Sequence, residues 1–290
     1  MDSISEKLTR VEFTNLDKTL YPKVEITKKQ VIEYYIKIAP KMLGLLVDRP
    51  LVLTRYPNGV QEQGFFEKDA PAGTPDWVKT FRSYSKSAKR TLNYIVCDNL
   101  DTLIWLANLA ALEIHMTLSS IEAFEAPDLV VFDLDPKPPA TYDDLVDVVL
   151  LLKEKLVALG LVSYGKTSGK KGFHVLIPIR KGYTFEQSRV FVQKVGDSLK
   201  KDTEKVVTER SKKETPGKVY IDYVQNSHGR TMVCPYSLRA TMDATVSTPL
   251  PWGKVKKGLN PETLNLSSVV KLVGNPWHDL FRNRQKLEGV

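Results

Sequence analysis

Cysteine is nearly absent from this chain: two occur in 290 residues, Cys97 and Cys234, far apart and without Cys-x-x-Cys spacing. That excludes a disulfide-built scaffold and a cysteine-ligated zinc ribbon, and it suits a reducing compartment. No apolar run approaches the roughly 20 residues that a membrane-spanning helix needs. The N-terminal segment Met1 to Glu6 has no basic stretch leading into an apolar one, so no secretory signal is expected. The sequence also lacks an internal repeat, a clean linker and the Gly-x-x-x-x-Gly-Lys-Ser/Thr loop of a P-loop nucleotide hydrolase.

What is present is a hydrophobic fraction of 42%, ample for one large or two small cores. Lys and Arg number 42 against 34 Asp and Glu, a formal charge of +8 that favours polyanionic partners such as nucleic acid or nucleotides. Apolar spacing predicts a helix over Lys28–Leu46 with Thr27 as its N-cap, and a β-rich run Leu51–Tyr56 followed by a long loop through Phe65 and Phe66. A strand over Thr91–Val96, a largely buried helix over Asn99–Leu112 with His115 just beyond it, and a strand around Asp133 come next. A helix over Tyr142–Leu159, strands over Val162–Thr167 and Phe173–Pro178, a helix over Thr184–Lys200 and a strand over Val219–Val224 complete the pattern. Interleaved strands and helices without a compositional break indicate a mixed α/β fold in one unit. Pro249–Gly253 reads as a turn that anchors a C-terminal tail by Trp252.

Three constellations carry chemistry. In Val130–Pro136, Asp133 and Asp135 are two residues apart and project from one face of a strand, with Leu134 turned away. Adjacent carboxylates repel, so the pair is either a solvated strand end or a site for a hard divalent cation. In Thr167–His174, Gly169 and Gly172 let backbone N–H groups approach an oxyanion, and Ser168, Lys171 and His174 add donors or charge. The competing reading is a basic hairpin turn. In Val219–Val224, Asp222 is a lone carboxylate within an apolar run, held either by a metal or by an ion pair with Arg230 or Arg239.

The chain order of these motifs resembles the archaeo-eukaryotic primase superfamily, specifically the polymerase domain of the ligase D group of prokaryotic end-joining proteins. The resemblance runs over nearly the whole chain. It is carried by Asn15–Pro22, Arg49-Pro50, Arg55–Gly59, Phe65–Lys68, Ala111–His115, Phe132–Pro136, Thr167–His174, Ile221–Tyr223 and Pro235–Ala240.

The fold so implied is a primase-polymerase-like mixed β-sheet core flanked by helices, in a single catalytic domain over 1–290. Within it are expected an N-terminal helical and loop subdomain to about 100, a catalytic core over about 101–245, and a tail over about 246–290 that packs on the core. The resemblance implies that Asp133, Asp135 and Asp222 bind two divalent cations, Mn²⁺ or Mg²⁺, for transfer to a primer 3′-hydroxyl. Arg55, Ser168, Lys171, His174, Arg230 and Arg239 would contact the incoming nucleotide, and His115 its ribose, with ribonucleotides preferred. Lys18 and Lys28 would hold a 5′-phosphate across a gap, and Phe65 and Phe66 would stack on template. Ordinary packing competes for three of these: a helix-end core residue for His115, and core aromatics for Phe65 and Phe66.

The implied function is template-directed gap filling and end extension in non-homologous end joining. Partners would be gapped or 3′-overhanging DNA with a 5′-phosphate, NTPs or dNTPs, a Ku-like protein, a separate ligase and, for end bridging, a second copy. A prokaryotic cytoplasmic, nucleoid-associated location and a stand-alone polymerase follow as expectations. Thr54 and Gln225 stand where the family often has basic residues, which would weaken nucleotide or template affinity. An initiating primase and a non-catalytic nucleic-acid-binding module are the alternatives.

Overall fold

The computed structural model describes residues 10–85 and 88–287; the N-terminal hexapeptide read for a signal lies outside them. These residues form two compact units. The first comprises the chain up to Thr117, Val233–Ser247 and Glu262–Val273; the second comprises Leu118–Met232, Thr248–Pro261 and the chain from Gly274. The contiguous ranges read from the sequence differ from this interleaving because Pro235–Ala240 hydrogen-bonds back to Leu112, Glu113 and Ile114.

In the first unit the helix Lys28–Leu46 begins where expected. Thr27 accepts from the Gln30 N–H while the Gln30 side chain accepts from the Thr27 N–H, a reciprocal cap that satisfies two orphan donors. Its buried face, including Val31, Tyr35, Ile38 and Met42, follows the helical period. Ahead of it lie the short strands β1 (Thr19–Tyr21) and β2 (Ile26–Thr27). The unit's sheet is built on β3 (Pro50–Arg55), β4 (Phe65–Glu67), β5 (Thr80–Ser85), β6 (Arg90–Val96) and β7 (Ala111–Thr117), in the order β7-β3-β6-β5 with β4 paired to β3; β13 (Thr231–Val233), of which Val233 falls in this unit, continues the order beyond β7.

Two local readings are corrected here. The helix expected over Asn99–Leu112 covers Leu100–Asn108, and Ala110 takes a left-handed φ of 56° before the chain enters β7. His115 is therefore mid-strand, opposite Val52 of β3, and not a helix-end residue. The alternation in Ala111–Thr117 carried that signal, but the leucines and alanines ahead of it extend the helical pattern. Phe65 and Phe66 likewise sit in a strand, antiparallel to Arg55 and Thr54, and not in a loop.

The second unit holds a separate six-stranded sheet of β8 (Leu129–Pro136), β9 (Tyr164–Thr167), β10 (Phe173–Pro178), β11 (Val206–Val207), β12 (Val219–Ile221) and β14 (Pro249–Leu250). The order is β11-β12-β8-β10-β9-β14; β11 and β12 run parallel and the other pairs antiparallel. The mixed α/β architecture expected is thus built on two six-stranded sheets and the small β1-β2 pair. Helices Tyr142–Ala158 and Phe185–Leu199, capped by Thr141 and Thr184, bury Leu145, Val149, Leu152, Phe191 and Val195. Phe132 on β8 meets Phe191 edge-to-face, centroids 6.2 Å apart, so the apolar face of β8 is turned to the helices and its aspartates to the opposite face. Pro249–Leu250 is a strand, and Trp252 anchors the following turn by donating to Ser163 O at 2.8 Å. Among the described residues no helix is long and apolar enough to cross a membrane.

Phe191→Ala removes a ring that is 4% exposed and leaves a cavity against Phe132. Urea unfolding is expected to show a loss of about 3–5 kcal/mol.

Candidate active site

The three strand aspartates lie within the second unit, and pairing of β8 on both edges positions them. Asp133 is directly opposite His174 of β10, and Asp135 is opposite Tyr220 of β12. Residues directly opposite in an antiparallel pair share a face, so both carboxylates emerge on the side away from Phe132 and Leu134. The Asp222 N–H donates to Asp133 O at 2.9 Å, which brings the third aspartate beside the first. Strand β12 ends at Ile221, however, and Asp222 caps the 3₁₀ turn Tyr223–Asn226. Its Oδ1 accepts from Val224 N at 2.9 Å and from the Tyr220 hydroxyl at 3.3 Å. Asp222 is therefore a strand-end carboxylate served by a backbone N–H and a hydroxyl; the arginine pairing considered for it is not what holds it.

Burial and then the neighbouring charges of Asp133 and Asp222 push the Asp135 carboxyl up to about 6. Lys137 opposes that shift, while it is itself ion-paired to Glu214 at 3.4 Å. A hard-oxygen donor set in which neighbouring carboxylates raise the proton affinity of Asp135 suits a divalent cation. Among the described residues no group of three or more His, Cys, Asp or Glu is already assembled to hold a metal.

The Thr167–His174 turn closes against this strand. Ser168 Oγ accepts from Gly172 N at 3.0 Å and Lys170 N at 3.2 Å, and Ser168 N donates to Gly172 O at 2.9 Å. A Cβ at Gly172 would stand 2.7 Å from Leu134 O and 2.8 Å from Asp135 Oδ1, so only glycine lets the turn approach the aspartates this closely. Ser168 and His174 are buried, whereas Lys171 and Arg230 are exposed. His174 Nε2 lies 3.1 Å from Asp133 Oδ1. Gln225 donates to Thr231 O and thereby ties its 3₁₀ turn to the first residue of β13.

The first unit holds Arg55, His115, Arg239, Lys18, Lys28, Phe65 and Phe66. Arg239 follows a strained turn in which Tyr236 takes φ 66°. Buried tyrosines brace that turn: Tyr34 donates to Tyr236 O at 2.7 Å, Tyr21 donates to Arg239 O at 3.0 Å, and Tyr35 accepts from Leu238 N at 3.2 Å. Burial raises the hydroxyl pKa of all three, so they stay protonated.

A residue that sequence reasoning missed is Glu113. Its carboxylate is buried, with Oε1 accepting from Arg239 Nε and Ala240 N at 3.1 Å each and Oε2 3.4 Å from His115 Nε2. The signal was available, because Glu113 and His115 are two apart and share a face of β7.

Arg55 donates to Leu109 O at 3.0 Å and to Glu67 at 3.2 Å, and its guanidinium lies over the Phe65 ring at 5.0 Å. Phe65 and Phe66 are 43% and 58% exposed, which sets aside core packing for both. Lys18 Nζ reaches Asn58 Oδ1 at 2.8 Å on the surface. Lys28 instead is buried, its Nζ donating to Thr14 Oγ1, Asn108 O and Asn108 Oδ1 at 2.9–3.3 Å. Burial first, and Lys18 second, lower its pKa.

The family model for the LigD primase-polymerase domain matches residues 27–281. The chain belongs to this family. It is accordingly a nucleotidyltransferase of the archaeo-eukaryotic primase superfamily, with the mixed α/β fold of LigD polymerase domains. It is 35% identical over 281 residues to the bifunctional non-homologous end joining protein LigD of Bacillus subtilis, matching 95% of this chain and 45% of that protein. It is 34% identical over 253 residues to the multifunctional LigD of Mycolicibacterium smegmatis, matching 86% of this chain and 33% of that one. The chain thus spans less than half the length of these relatives. The polymerase domain of Mycobacterium tuberculosis ligase D, solved in complex with DNA, superposes with a TM-score of 0.87 at 30% identity, covering 95% of this chain and 99% of that one. LigD polymerase domains are metal-dependent.

Because the folded state raises the Asp135 value, it binds that proton more tightly than the unfolded chain does, and stability falls as pH rises from about 4 to about 6. With chelator present, Asp135→Asn is expected to raise the urea midpoint above pH 6, and this gain should vanish below pH 4.

Proposed function

We propose that this LigD primase-polymerase domain fills short gaps and extends DNA ends during non-homologous end joining, adding nucleotides to a primer 3′-hydroxyl under template direction. The observation that carries the reading is Asp133 and Asp135 on one face of β8, with Asp222 bonded beside Asp133 through its backbone and the Ser168–Gly172 turn closed against the strand. DNA comes to this chain by analogy with the DNA complex of its structural neighbour.

The three carboxylates would hold two divalent cations, Mn²⁺ or Mg²⁺, which supply charge neutralisation of the triphosphate and a lowered pKa for the attacking hydroxyl. The Ser168 turn and Lys171 would orient the nucleotide's phosphates, and His174 would donate to them. Asp222 accepts from Val224 N and Tyr220 on Oδ1, so its Oδ2 would serve as the ligand. In the first unit, Arg239 and Arg55 would contact the nucleotide, and His115 would face its ribose and favour ribonucleotides. Glu113 fixes Arg239 and His115 through its two oxygens. The exposed rings of Phe65 and Phe66 would stack on template bases. Lys18 would take the 5′-phosphate, joined by Lys28 once that side chain leaves its internal acceptors. Ku-like, ligase and end-bridging partners belong to the same proposal.

The test is extension across a short gap with a downstream 5′-phosphate, with Mn²⁺ or Mg²⁺ and with rNTPs or dNTPs. Wild type is expected to extend, faster with rNTPs and with the 5′-phosphate, and Asp133→Ala to bind DNA without extending it; extension by Asp133→Ala would reject the assignment. Lys18→Ala is expected to abolish the 5′-phosphate preference at unchanged thermal stability. Lys28→Ala is expected to lower stability as well, because it strips Asn108 of its buried donor.

A further inference from the structure

Strand β9 carries a lysine with no solvent exposure, Lys166, which no reading of the site has used. It lies directly opposite His174 of β10, which in turn lies directly opposite Asp133 of β8. Three consecutive strands therefore set Lys166, His174 and Asp133 in one transverse row on the face that carries the aspartates. The side chains are joined within that row: Lys166 Nζ is 2.8 Å from His174 Nδ1, and His174 Nε2 is 3.1 Å from Asp133 Oδ1. The register also pins the ends. Lys166 is backed by Pro249 of β14, and the Asp133 carbonyl accepts from Asp222 N at 2.9 Å.

We infer that Lys166 is a positioning residue: by donating to Nδ1 it fixes the His174 ring as its Nε2–H form and aims that single N–H at the phosphate-binding side of the Asp133 row. An ammonium has three donors and no acceptor, so its hydrogen bond to an imidazole runs in one direction and leaves the ring proton on the other nitrogen. The acceptor 3.1 Å from Nε2, a carboxylate oxygen, calls for that same proton. As the Nδ1–H tautomer, the ring would present a lone pair to Asp133 and an N–H to a donor-only ammonium. In this arrangement His174 can donate one hydrogen bond to Asp133, or to a phosphate oxygen that arrives beside it, without the ring turning. The inference rests on the nucleotidyl-transfer reading for the identity of that phosphate, but not for the state of the ring.

The experiment therefore reads the ring separately from activity. Two-bond ¹⁵N–¹H correlation of the ¹⁵N-histidine-labelled chain, without nucleotide or metal, is expected to show His174 as the Nε2–H form, its signals assigned by their loss in His174→Ala. Lys166→Met, close in length and without donors, is expected to shift His174 toward a mixture of forms, and Lys166→Arg, also donor-only, to restore the wild-type pattern. In gap extension, Lys166→Met is expected to raise the nucleotide KM by roughly tenfold or more, the scale of one charge-assisted hydrogen bond, with a smaller change in kcat. On a His174→Ala background the same substitution should add nothing, because its effect passes through the ring.

An Nδ1–H ring in the wild type overturns the inference, whatever the variants do. So does an unchanged His174 pattern in Lys166→Met, or penalties that multiply in the double variant. A wild type that shows the Nε2–H ring but extends no primer would reject the polymerase reading while leaving the Lys166–His174 assignment standing.

Discussion

Everything at the aspartate face depends on strand β8 being paired on both edges, antiparallel to β10 on one side and to β12 on the other. An edge strand could slip or twist to relieve the repulsion between Asp133 and Asp135; a central strand cannot, because a one-residue slip would turn Phe132 and Leu134 out of the core. The carboxylates are thus held together by apolar packing on the opposite face, where Phe132 meets Phe191. The resulting tension is visible in Asp135, whose carboxyl is pushed up to about 6. Core energy is set against local charge repulsion, an arrangement common where a site must await its counter-ion.

The first unit solves a different problem with similar means. Arg239 must be held although the turn before it is strained at Tyr236. Three buried tyrosines from the chain's first 35 residues supply hydroxyls to that turn, so residues about 200 apart in sequence fix one another. Burial keeps those hydroxyls protonated, and the bracing is insensitive to pH over the ordinary range.

Much of this was legible in the sequence where a single local rule decided the outcome. Thr27 caps the helix it precedes, as expected; Thr141 and Thr184, not expected as caps, serve theirs by the same rule, and Gly160, at φ 71°, follows the helix end. The strand through Asp133 and the turn between Thr167 and Phe173 fall where the sequence places them. Failures occurred where tertiary pairing overrode a local pattern: His115 is drawn into β7 by β3, and Phe65 and Phe66 into a short strand by the same neighbour. The split into two sheets had no local signature, since it depends on Val233–Ser247 returning to the first unit. Glu113 and Lys166 were passed over for a related reason: the meaning of each charge lies in a partner that only the fold brings up, Arg239 for Glu113 and His174 for Lys166.

Glu113 divides its two oxygens between a guanidinium and an imidazole, so the two side chains share one rigid planar group. A carboxylate cannot rotate toward one partner without withdrawing from the other. His115 and Arg239 are for that reason not independent variables under selection: a substitution at either changes the anchor available to the other, and the fitness effects of paired changes will be epistatic. Sequence drift at these two positions is therefore constrained jointly, through a third residue that touches both.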